Sequence, residues 1–197
     1  MLINELAKEI HQNAVDHGWW DEERDTPEIV ALIHSEWSEA LEEARAGNPM
    51  VYACLPEGGP MWTPRTTENR EEIMNQHLKP EGIAVELIDG CIRVLDYMGH
   101  VEAEVTTPDG GKCAIEDFYI DDMLTDIPDK ITEVIACLHV FTSQMLMQDS
   151  IPDGHATLMI FAMALGWVKK QGIDPLALML EKHEYNKTRP YKHGKRF

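Results

Sequence analysis

Residues 79–99 read KPEGIAVELIDGCIRVLDYMG. At 100° per residue, Glu86, Asp89, Arg93, Asp96 and Tyr97 fall within roughly 100° of arc on a helical wheel. Ala84, Leu87, Ile88, Cys91, Val94, Leu95 and Met98 fill most of the remaining circumference. A helix that is apolar nearly all round is enclosed by other helices. The narrow acidic ridge therefore faces neighbouring helices rather than water, as in an all-α helical bundle.

A second stretch repeats the pattern. In EIVALIHSEWSEALEEAR (28–45), Glu36 and Glu39 are three residues apart. With Glu36 placed at about 0°, Glu39 lies near −60°, Leu32 near −40°, Ile29 near +20° and Ala40 near +40°. Both acids thus sit within or beside the apolar stripe. E-x-x-E spacing is common on solvated helix faces, so one pair alone says little. Two pairs displaced onto apolar faces say more, because carboxylates gathered in a low-dielectric interior need a cation or a raised pKa. An oxygen-only donor set favours Mg²⁺ or Mn²⁺, or Ca²⁺, over Zn²⁺. Glu36, Glu39, Glu86 and Asp89 are the candidate metal ligands.

The remaining chain is also read as mostly helical. A first helix covers about residues 2–17 and stops at Gly18. Thr26 offers an N-cap, with Pro27 at the first helical position, and this helix runs to about Ala46 before Gly47. Residues 48–67 carry Pro49, Pro56, Gly58, Gly59, Pro60 and Pro64, which reads as a long irregular loop. A short helix near 68–77 follows, and Pro80 opens the second acidic helix. TTPDGGK (106–112) signals a hairpin-like turn. Further helices are expected from about Pro128 to Met147, over about 154–171, and from an Asp174 cap with Pro175 to about Thr188. A weak echo of AVELIDGCI (84–92) in ITEVIACLH (131–139) aligns Glu133 with Glu86, as shared apolar periodicity alone can produce.

The 197 residues suit one domain, 1–197, with a sizeable core. A formal net charge of −18 argues against binding polymeric nucleic acid or an anionic membrane. It leaves room for a nucleotide, since a bound divalent cation reverses the local field. Cys54, Cys91, Cys113 and Cys137 form no C-x-x-C and read as reduced thiols of a cytoplasmic protein. The most apolar stretch, TLMIFAMALGWV (157–168), is too short to span a bilayer. Neither a P-loop nor a Rossmann glycine pattern occurs, and no Glu has a His three residues on.

The C-terminal stretch GIDPLALMLEKHEYNKTRPYKHG (172–194) places Lys182, Asn186 and Arg189 at i, i+4 and i+7. Lys187 suits the helix dipole. The other three, with the basic residues that follow, suit phosphate held beside a metal. Trp19, Trp20 and Trp37 are candidate surfaces for a nucleobase, although aromatic residues near helix ends are usually packing anchors. His34 and His139 read as core or boundary residues.

These three stretches together resemble the MazG-like all-α nucleoside triphosphate pyrophosphohydrolases: an E-x-x-E helix, an E-x-x-D helix, and K-x-x-x-N-x-x-R ahead of a His-Gly tail. The resemblance covers roughly half the chain. It implies a four-helix core with Glu36, Glu39, Glu86 and Asp89 as Mg²⁺ ligands. It implies phosphate or sugar contacts from Lys182, Asn186 and Arg189, and favours a homo-oligomer. Arg93 and Trp20 complete the candidate substrate-binding set. The expected reaction is hydrolysis of a (deoxy)nucleoside triphosphate to monophosphate and pyrophosphate, with Glu36 or Glu39 acting on the attacking water. A dUTPase-like or phosphoribosyl-ATP type phosphohydrolase and a non-enzymatic acidic adaptor are the alternatives. The chain differs from the pattern by two added stretches, about 48–79 and 100–172.

Overall fold

A computed structural model describes residues 1–54, 63–64, 78–107, 109–146 and 154–194. Among these, six long helices and one small sheet are present. The helices are α1 (Ile3–Asp16), α2 (Thr26–Ala46), α3 (Ile83–His100), α4 (Ile131–Gln144), α5 (Gly154–Lys170) and α6 (Pro175–Lys187). None is long and apolar enough to cross a membrane.

Helix α3 is the central element. It packs against α1, α2, α5 and α6, while α4 lies on α2 and α5. Its buried residues run round the helix, from Ile83 to Met98. Two glycines let its neighbours come close. A Cβ at Gly90 would lie 2.1 Å from the Trp37 ring of α2. A Cβ at Gly99 would lie 2.6 Å from the Ala7 carbonyl of α1. Helix α1 answers with a narrow apolar stripe of Ile3, Leu6, Ala7 and Ile10. Trp37 is fully buried and donates from Nε1 to Thr142 Oγ1 at 2.8 Å, tying α2 to α4. His34 and His139 lie on the same junction, with their Nδ1 atoms 2.7 Å apart.

The helix ends obey local chemistry, with corrections to the sequence reading. The α2 cap is Asp25 rather than Thr26: its Oδ1 accepts the Glu28 amide at 2.9 Å, which shifts Pro27 one position into the helix. Gly47 closes α2 in the left-handed conformation at φ 73°. Asp174 caps α6 as expected, accepting the Ala177 amide at 3.1 Å. Asp174→Ala is expected to cost about 1 kcal/mol, a fall of about 2–4 °C in melting temperature by calorimetry.

Part of the stretch read as an irregular loop is a sheet. Strands β1 (Tyr52–Cys54), β2 (Thr63–Pro64) and β3 (Lys79–Glu81) form an antiparallel sheet in the order β2-β1-β3. Tyr52 pairs with Glu81, and Cys54 with Lys79. Pro80 therefore sits in a strand instead of opening α3, which begins at Ile83. Strands this short, with proline in two of the three, give no alternation to read. The expected helix near 68–77 lies outside the described residues. The TTPDGGK turn is present as a single antiparallel bridge, Thr106 to Lys112. Helix α4 starts at Ile131, three residues beyond Pro128.

Candidate functional site

Helical spacing puts Glu86, Asp89, Arg93 and Asp96 along one side of α3. All four line a cleft of about 220 Å³. Helix α2 contributes Glu36 and Glu39 to the same cleft, β3 contributes Lys79, and the C-terminal segment contributes Lys182, Asn186 and Arg189. Eight of the nine residues in the candidate metal-ligand and substrate-binding set thus meet in one depression. The ninth, Trp20, is not among its lining residues. Its indole stacks on His100 with centroids 3.9 Å apart and donates to Asp96 Oδ1 at 2.9 Å. Trp19 lines the cleft instead, with the Arg24 guanidinium 5.4 Å from its ring. Trp37, fully enclosed against Gly90, is a packing residue.

Glu36, Glu86 and Asp89 each offer a carboxylate oxygen within 4.8 Å of the others. Oxygens on opposite sides of a hard cation are separated by about 4–5 Å at the usual Mg²⁺ and Ca²⁺ bond lengths, so one ion can bridge the three. Glu39 stands apart from this triad. Its place one turn along α2 carries it outward, where it is exposed.

The three acids are held differently. Glu36 is only 5 % exposed, and the Arg93 guanidinium makes an ion pair with its Oε1. Burial raises its pKa, and Arg93 opposes that rise. Asp89 accepts from Lys182 Nζ at 2.8 Å, and the same ammonium donates to the Pro80 carbonyl at 3.2 Å. Lys182 is 1 % exposed, so both bonds are needed to keep a cation there. Glu86 is 4 % exposed, and among the described residues no cation pairs with it. Burial first, and then the charge of Asp89, push its pKa up to about 9.

Asn186 lines the cleft, and its buried Oδ1 has no hydrogen-bond partner among the described residues. Arg189 lies just beyond the end of α6 and still lines the cleft. Lys79 is one of the lining residues that the sequence reading missed, as are Arg24, Ser35 and His183. Lys79 falls between the irregular loop and the expected start of α3, where no periodicity marks a strand. Asp96 was visible as part of the ridge but received no role.

An all-oxygen donor set that includes one buried carboxylate, unpaired among the described residues, fits a divalent cation. The neighbouring Lys and Arg side chains and the Asn amide fit an anion with several oxygens. Compared with known proteins, the chain matches no family model, no characterised protein and no solved structure.

Proposed function

We propose that this protein is a Mg²⁺-dependent hydrolase that splits a (deoxy)nucleoside triphosphate into the monophosphate and pyrophosphate. This is the activity of the MazG-like enzymes that its sequence resembles. The observation that carries the reading is Glu86. A carboxylate this enclosed, with an acid beside it and no cation paired to it among the described residues, is costly as it stands. Glu36, Glu86 and Asp89 together would hold a divalent ion that would remove that cost. Buried Glu36 and Glu86 also lack the solvated character that the adaptor alternative requires.

Glu36, Glu86 and Asp89 would hold the ion. When bound, Mg²⁺ would draw charge from the phosphate oxygens and lower the pKa of a nearby water. The chain's own groups do the rest. Glu39, outside the triad and exposed at the cleft wall, is free to accept the proton of the attacking water. The water oxygen bonds to the α-phosphorus as the bond from that phosphorus to the bridging oxygen of the β-phosphate breaks. Pyrophosphate leaves with that oxygen. Lys182 and Arg189 offset its charge, and the Asn186 amide orients the phosphates.

A panel of nucleoside triphosphates incubated with Mg²⁺ and scored for pyrophosphate tests the reading. Release that depends on Mg²⁺ and stops with a chelator is the expected outcome. No pyrophosphate from any substrate overturns it. Glu39→Gln is expected to lower turnover by about 10²–10³-fold while leaving a manganese-induced thermal shift in place, measured by steady-state kinetics and scanning fluorimetry.

A further inference from the structure

The sheet inserted between the two acidic helices reaches the cleft. Lys79, on β3, lines the cleft beside Glu86, Asp89 and Lys182. Its ammonium pairs with Glu81, two residues on along the same face of the strand. Glu81 itself is not a lining residue. Pro80 between them turns to the buried side and receives the Lys182 ammonium on its carbonyl at 3.2 Å. β3 is therefore fastened to the residue that holds Asp89, and Lys79 is delivered from the opposite chain segment to Lys182, Asn186 and Arg189.

The other cations nearest the acids are engaged by them. Arg93 is paired with Glu36, and Lys182 is held between Asp89 and a backbone carbonyl. Lys79 neutralises none of the triad by direct contact. A polyphosphate keeps excess negative charge after taking one divalent cation, and needs further cations on more than one side. We propose that Lys79 is a phosphate-binding residue, by which the inserted sheet grips a polyphosphate chain bound in the cleft. Glu81 holds the ammonium in place until the anion enters. The inference rests on the hydrolase reading above for its setting and adds the inserted sheet to the phosphate-binding surface.

The test is calorimetric titration of inorganic tripolyphosphate, with Mn²⁺ present, into the full-length chain and three variants. Lys79→Gln is expected to weaken binding about tenfold or more, and Lys79→Arg to restore most of it. Glu81→Gln is expected to act in the opposite direction and tighten binding by about threefold, because it frees the ammonium and removes a competing carboxylate. A purely structural ion pair would make both glutamine variants weaken binding alike, and that result overturns the inference. So does unchanged binding in Lys79→Gln, or no binding by the unaltered protein. If the unaltered protein binds tripolyphosphate through Lys79 but hydrolyses no nucleotide, the hydrolase reading alone fails. The manganese-induced thermal shift of each variant verifies that its acidic triad is intact.

Discussion

Glu86→Gln is expected to lower Mg²⁺-dependent pyrophosphate release roughly a thousandfold or more while making the metal-free protein more stable at pH 8. Both effects follow from one burial. In the folded chain the Glu86 pKa is pushed up to about 9, against an ordinary value of 4.5. Between these two pH values the folded protein holds a proton that the unfolded chain releases, so stability falls as pH rises through that window. The contribution is fully present below the ordinary value and is lost as pH climbs through the raised one. Glutamine has nothing to ionise, so the variant's stability curve should be flatter. At pH 8 the gain is on the order of 1–3 kcal/mol, or about 2–12 °C in melting temperature. Saturating Mg²⁺ reverses the comparison: about 100 times the dissociation constant stabilises the unaltered protein by about 3 kcal/mol and leaves the variant unmoved.

Asp89→Asn separates catalysis from stability at the same site. It is expected to remove activity equally, but to destabilise the fold by about 3 kcal/mol, since it strips the carboxylate from a fully buried Lys182. Near-normal pyrophosphate release by both variants would rule out the metal assignment. Equal stability changes of the same sign would contradict the ion-pair geometry.

The second large effect concerns packing. Gly90→Val is expected to destabilise the protein by about 3 kcal/mol or more, because the Cβ alone would stand 2.1 Å from the Trp37 ring. Trp37 has little room to retreat, being fully buried and hydrogen-bonded to Thr142 on its far side. Urea denaturation should show a lower midpoint with little change of slope. Combining Gly90→Val with Trp37→Leu should recover part of the loss, since the smaller side chain vacates the space. A variant at position 90 as stable as the parent would contradict this contact between α2 and α3.

Several of these features were legible in the sequence, each for an identifiable reason. The acids at 36, 86 and 89 were visible because helical spacing sets them against apolar neighbours; Glu36 and Glu86 are buried, and Asp89 is half-buried beside them. Helices α1, α2 and α6 were visible through Gly18, Gly47, Pro27 and the Asp174–Pro175 cap. Asp25 was missed because Asp-Thr-Pro offers two capping residues in a row, and only the hydrogen bond to Glu28 decides between them. The sheet was missed because its strands are two or three residues long and its pairing is set by contacts distant in sequence. Lys79 was hidden for the same reason. Trp20 looked available to a ligand, but its partner His100 is 80 residues away in sequence, a contact that no local pattern reveals.

Enclosure of α3 has a consequence for how the molecule breathes. Its backbone amides are shielded by four helices and should exchange with deuterium only when the whole fold opens. The short ladder of β3 should exchange through smaller, cheaper openings. Glu86 and Asp89 are thus mounted on the slowest-exchanging part of the protein, and Lys79 on a part that can part from it briefly and return.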